Sequence, residues 1–197
     1  MQGGKRASRK LVHDVSKPPN SVPQESECYE GESLVRLLKL IQREIVSARS
    51  LHGDSLPEKL WFKQQFSIGV NEVTRVLERM APRANMGIFP QQPHILCGNS
   101  KVPSVQLQVI LLAADCNPRW LIKHLPGLAL SRNVPVIFVK DKKGGSLRLG
   151  ELVKLKTAIA VGIKAKGNII NQLMDKILHG DEVDLLKLSE TPEAPRQ

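Results

Sequence analysis

The stretch LQVILLAADCNPRWLIKHLPGLALSRNVPVIFV, Leu107 to Val139, decides the architecture. Its first seven residues, Leu107 to Ala113, are apolar except for Gln108, which predicts a strand buried within a sheet. Asn117-Pro118 then places a capping residue before a proline and predicts a helix opening there. Val134 to Val139 returns to β-branched and aromatic residues and predicts a second strand. Toward the carboxyl end, a turn at Gly144-Gly145 leads through a short helix to a strand near Thr157 to Ile163. The last helix, Asn168 to Leu178, is ended by Gly180.

Toward the amino end, residues 80–105 carry Pro82, Pro90, Pro93 and Pro103 with little periodicity and read as a surface insertion. Ahead of it, a short strand ends at Gly69, and a helix begins near Asn71. A second short helix is expected to start at Pro57. The apolar positions Leu34, Leu37, Leu38, Ile41, Ile45 and Ala48 recur at helical spacing from Glu32, with Lys39, Arg43 and Arg49 on other faces. The expected fold class is α/β, a three-layer α/β/α sandwich with a small mixed sheet, over residues 31–180. Residues 1–30 read as a disordered basic arm and residues 181–197 as an acidic tail.

The 197 residues carry a net charge of +10, which favours polyanionic partners through counterion release. Residues 1–24 hold five Lys or Arg against Asp14, and residues 181–197 hold Lys187 and Arg196 against five acids. The excess therefore lies on the folded part, which a basic arm alone would not explain. No apolar run approaches the roughly 18–20 residues of a membrane-spanning helix, so no membrane partner is expected. The amino terminus lacks the apolar centre of a secretory signal.

Cys28, Cys97 and Cys116 form no close pair and read as reduced thiols. Seven aromatics in all argue against an RNA-recognition sheet or an oligonucleotide-binding barrel. Lys142-Lys143-Gly144-Gly145-Ser146 lacks P-loop spacing and reads as a turn. His94, Cys97, Cys116 and His124 match no common zinc spacing, and no metal or other cofactor is expected. Asp115 and His124 come with no activated nucleophile or paired carboxylate, so both read as structural. Trp120 and Leu121 read as core or partner-facing positions.

Chemistry concentrates at Gly69-Val70-Asn71-Glu72-Val73-Thr74-Arg75. A tight turn there exposes the first turn of a helix, whose free N–H groups and dipole attract phosphate. The Asn71 amide can donate and accept at a base edge, and the Glu72 carboxylate can accept from base amines. Arg75, one turn on, offers a planar fork for phosphate or guanine. The same residues also suit plain capping, with Arg75 paired to Glu72 or Glu78. Both readings remain open on the residues alone.

The run Gly69, Asn71, Glu72, Val73, Thr74, Arg75 resembles the signature of the kink-turn-binding ribosomal-protein family. The resemblance continues through Leu111 to Pro118, Ile122, His124-Leu125-Pro126, Asn133-Val134-Pro135-Val136 and Leu149-Gly150. It covers about residues 32–178, interrupted by the insertion. Gly69 to Arg79, with Leu128, Ser131, Arg132, Val134 and Pro135, most resembles the ribonuclease P and MRP subunit of that family. The resemblance implies a non-catalytic domain that recognises a sharply bent RNA helix with sheared G·A pairs beside a bulge. Asn71, Glu72 and Arg75 would sit against those pairs, Gly69 would be RNA-binding with them, and the loop Lys154, Leu155, Lys156, Thr157, Ala158 would cover an extruded nucleotide. It also implies ribonucleoprotein subunits as partners, a role in precursor tRNA and rRNA processing, and a place in the nucleus and nucleolus. The alternatives are a ribosomal or small nucleolar ribonucleoprotein component, an RNA-modifying enzyme, or a protein-interaction module.

Overall fold

A computed structural model describes residues 28–51, 56–81 and 105–179. The elements are β1 (Cys28–Glu30), α1 (Gly31–Leu51), α2 (Glu58–Gln65), β2 (Phe66–Ile68), α3 (Val70–Arg79) and β3 (Leu107–Ala113). They continue through a 3-10 turn (Arg119–Leu121) to α4 (Leu125–Ser131), β4 (Val136–Lys140), α5 (Gly145–Leu152), β5 (Ala160–Lys164) and α6 (Ile169–Leu178). The expected α/β/α sandwich with a mixed sheet is what forms. Most of the expected arm 1–30, insertion 80–105 and tail 181–197 lies outside the described residues.

The sheet order is β1-β4-β3-β5-β2. β1, β4 and β3 run parallel, whereas β5 is antiparallel to both β3 and β2. The carboxyl ends of β1, β4, β3 and β2 therefore share one pole of the sheet with the amino end of β5. At the centre, every residue of β3 except Gln108 is buried, as a strand covered by helices on both faces requires. α1 packs on α5 and α6 in one helix layer, and α3 packs on α4 in the other. In α1 the buried residues Leu34, Leu37, Ile41, Ile45 and Ala48 keep the three-to-four spacing of a single stripe. Each large apolar side chain fully buried there contributes about 1.5–3 kcal/mol.

Two expectations are corrected. Residues 28–30, assigned to the arm, form β1, an edge strand paired residue for residue with Phe138, Val139 and Lys140. Its Glu30 carboxylate meets the Lys140 ammonium at 3.3 Å. Asn117-Pro118 opens only the 3-10 turn, and the helix starts later, at Leu125, with Pro126 in its first turn. A boundary also shifts, since β5 starts at Ala160 and leaves Thr157 in the loop before it.

A polar staple ties α6 to β5, β3 and α2 at the other pole. Asn168 caps α6, its side chain accepting from the Asn171 N–H at 3.1 Å. The buried Asn171 side chain accepts from the N–H groups of Lys166 (3.0 Å) and Asn168 (3.2 Å). It donates to the Lys164 carbonyl at 2.9 Å and to the Gln108 side chain on β3. Asn168 in turn donates to Gln65 at the end of α2, at 2.8 Å.

Candidate nucleic-acid interface

α3 begins abruptly because Gly69 stands at φ 94°, a backbone conformation that side-chain-bearing residues rarely adopt. The Gly69 N–H donates to the Ala160 carbonyl at 2.8 Å, and the Gly69 carbonyl accepts from Val73 at 3.0 Å. No side chain caps the helix. The first-turn N–H groups of Val70, Asn71 and Glu72 are thus left without an intrahelical partner at the positive end of the dipole.

The helix buries Val73, Val76 and Leu77 and leaves Asn71, Glu72 and Arg75 exposed. Among the described residues Arg75 forms no ion pair, with Glu72 and Glu78 or with any other acid. The two ends of α4, in the same layer, hold α3 at two points. His124 Nε2 and Thr74 Oγ1 share a 2.9 Å hydrogen bond, and the Arg132 guanidinium donates to the Leu77 carbonyl at 2.9 Å.

The second segment follows α5. The Leu155 N–H returns to the Gly150 carbonyl at 2.9 Å, and the Lys154 N–H to that of Glu151 at 3.3 Å. This double bond pattern closes a helix around a left-handed residue that is usually glycine. Here that residue is Lys154, at φ 58°. The loop then crosses α5 so tightly that a Cβ on Gly150 would stand 2.7 Å from the Thr157 N and Cα and 2.8 Å from the Leu155 oxygen. The Ala158 N–H closes it by donating to the Ser146 carbonyl at 2.8 Å. Lys154, Leu155, Lys156 and Thr157 are exposed, whereas Ala158 turns inward and seats the loop. Ala158 therefore offers no side chain to a ligand.

The sheet brings the two segments together. Ile68 pairs with Val161 across β2 and β5, and the Gly69–Ala160 bond joins the start of α3 to a residue two places past the loop. The pole where β2 ends and β5 begins then carries free helix N–H groups, the Asn71 amide, the Glu72 carboxylate and the Arg75 cation, with the loop of Lys154 and Lys156 leading into it. At the far end of β5, Lys164 has its pKa lowered by burial and then by Lys166, with Glu72 opposing, while its Nζ donates to the Lys63 carbonyl at 2.6 Å. No sequence signal marks the contact between the segments, because it depends on the register of two distant strands.

The remaining candidates have structural work. At the glycine turn, Lys143 N–H donates to Asp141 Oδ1 (2.7 Å), and Gly145 N–H to Asp115 Oδ2 (2.7 Å). Those donors are taken by carboxylates of the fold, so the turn is no phosphate cradle. The Lys143 N–H, followed by the Arg148 guanidinium, holds the Asp141 carboxyl below its usual range. Asp115 thus braces a turn while His124 braces α3, and the two share no hydrogen bond. Burial, reinforced by the Asp115 charge, pushes the Cys116 thiol up, away from reactive thiolate. His94 and Cys97 lie outside the described residues. Among the described residues no three His, Cys, Asp or Glu side chains form a metal-binding group, and no helix is long and apolar enough to cross a membrane.

Residues 99–172 match the model of the ribosomal protein L7Ae/L30e/S12e/Gadd45 family. The large ribosomal subunit protein eL8 of Caenorhabditis elegans is 37% identical over 62 residues, which is 32% of this chain and 22% of that protein. The eL8 of Drosophila melanogaster is 24% identical over 176 residues, 82% of this chain and 54% of that protein. The chain thus spans about half or less of these relatives. Among solved structures, the Giardia lamblia 15.5kD RNA binding protein aligns with a TM-score of 0.44 and 19% identity, covering 76% of this chain and 91% of that one. The family match includes the loop 154–158 and stops short of α3.

Proposed function

We propose that this protein is a non-catalytic RNA-binding subunit of a ribonucleoprotein that recognises a sharply bent RNA helix through α3 and the loop after α5. The observation that carries the reading is the union of the two segments. The uncapped start of α3 and the strand entered from the cationic loop are joined by the Gly69–Ala160 hydrogen bond at one pole of the sheet. A regular RNA helix hides its base edges in a deep, narrow groove, so a helix terminus gains access only where the RNA is bent. There the N–H groups and cations hold phosphates, while Asn71 and Glu72 reach base edges. The family match over residues 99–172 supports this reading.

The ribonucleoprotein we favour is ribonuclease P/MRP, acting on precursor tRNA and rRNA in the nucleus and nucleolus. The resemblance of Gly69 to Arg79 and of Leu128 to Pro135 supports it. Similarity to two eL8 proteins of the large ribosomal subunit favours a second reading, a ribosomal or small nucleolar particle. The RNA that copurifies with the full chain separates these two.

The test of RNA recognition is binding of the purified protein to a kinked RNA and to a matched straight duplex at two salt concentrations. Asn71→Ala, Glu72→Ala and Arg75→Ala are each expected to weaken binding to the kinked RNA about tenfold, in keeping with roughly 1–3 kcal/mol for a base-edge contact. Equal, salt-sensitive binding to both RNAs that ignores these changes would sink the proposal.

Lys154 permits a test in which two readouts move in opposite directions. Glycine is the residue that φ 58° favours, so Lys154→Gly is expected to raise stability by about 1 kcal/mol. The same change removes a cation from the loop and is expected to reduce RNA affinity and flatten its salt dependence. Chemical denaturation and a salt titration of binding check the two halves. Unchanged affinity would remove Lys154 from the interface.

A further inference from the structure

We infer that Trp120 is a stacking platform for an unpaired RNA base beside the bent helix held by α3, an inference that rests on the RNA-binding reading above. Trp120 is 71% exposed. The other aromatics among the described residues, Tyr29, Trp61, Phe62, Phe66 and Phe138, are buried or half-buried. Trp61, Phe62 and Phe66 pack against one another in the core, with Trp61 standing edge-on to Phe62 at 5.3 Å. Among the described aromatics, Trp120 alone has a mostly exposed ring.

The indole stands on a rooted turn. Leu121 is packed against the core and Ile122 is buried, and the turn is closed by Leu121 N–H to Pro118 and Ile122 N–H to Arg119, each at 3.3 Å. Its place ties it to the candidate interface. Four residues on, His124 is bonded to Thr74, the residue before Arg75. Four residues of chain reach about 14 Å at most, so the ring lies within a few nucleotides of whatever α3 holds.

The surroundings select the occupant. Arg119 and Lys123, both exposed, flank the ring in sequence, and exposed Asn117 precedes them. An apolar protein anchor would be expected to sit among apolar neighbours, with charge pushed to a rim. An exposed π-face with cations close by in the chain suits a base whose phosphates those cations can reach, and base–aromatic stacking tolerates any base identity. A bent helix supplies such a base, because its bulge leaves nucleotides unpaired.

The chain has two tryptophans, and Trp61 is 2% exposed, so quenching by a ligand reports on Trp120. The experiment titrates the full chain with a kinked RNA and with versions in which each unpaired nucleotide is made abasic in turn. Quenching of the emission is expected on binding and is expected to vanish for one abasic position. Trp120→Leu should weaken binding to the intact RNA about tenfold, leave that abasic RNA unaffected, and be largely rescued by Trp120→Phe. If Trp120→Leu binds as the parent does while Asn71→Ala still weakens binding, RNA recognition stands and the stacking role falls, leaving the indole as a protein anchor. If neither substitution matters, both readings fall.

Discussion

Gly150→Val should lower the stability of this protein by about 3 kcal/mol and displace the loop that follows α5. The added side chain would begin 2.7 Å from the backbone of Thr157 and 2.8 Å from the Leu155 oxygen. Neither obstacle is the tip of a flexible side chain. Overpacking against backbone costs about 1–3 kcal/mol or more, and valine adds two methyl groups beyond the Cβ. For a chain of this length the thermal midpoint should fall by roughly 6–12 °C, read by circular dichroism. Gly127→Ala is the matched control. Gly127 lies in α4 with nothing within 4 Å of an added Cβ, so stability should hold or rise by up to about 1 kcal/mol. A Gly150→Val protein as stable as the parent would mean that the loop does not lie across α5 as described.

The second large effect is expected at Asn171. Leucine there has similar bulk but can neither accept from Lys166 and Asn168 nor donate to Lys164 and Gln108. A buried donor or acceptor left unpaired costs about 1–3 kcal/mol, so Asn171→Leu should destabilise by about 3 kcal/mol. Urea denaturation provides the measurement. Because this staple lies at the pole opposite α3's first turn, RNA affinity of the folded fraction should be unchanged. A loss of affinity without a loss of stability would contradict the staple's assignment as structural.

How much of this was legible depended on whether the signal was local. α1 was visible from Glu32 because its stripe recurs every three or four residues, and β3 because its apolar run has strand length. Gly69 marked the strand-to-helix turn because the chain needs a residue free of Cβ strain there. β1 was not legible: three residues, Cys28, Tyr29 and Glu30, carry no alternation, and their partner is more than a hundred residues away. The helix expected at Asn117-Pro118 failed because a capping pair licenses a turn without obliging it to continue.

The candidate interface divides the same way. Asn71, Glu72 and Arg75 could be grouped from the sequence because one helix face exposes them. Their meeting with the loop at 154–158 was not visible in spacing, since it rests on the pairing of Ile68 with Val161. The inward turn of Ala158 follows from its hydrogen bond to Ser146, a contact that residue type alone does not announce.

The direction of the strands has a consequence for how this chain can be altered. α3 doubles back on β2 and ends near Ala81, about 15 Å along its axis from its first turn, and β3 starts just after Val105 at that same far pole. Both doorposts of the stretch 82–104 thus stand away from Asn71, Lys154 and Trp120. A fluorophore joined at Ala81 or at Val105 is attached at the end of the molecule away from Asn71.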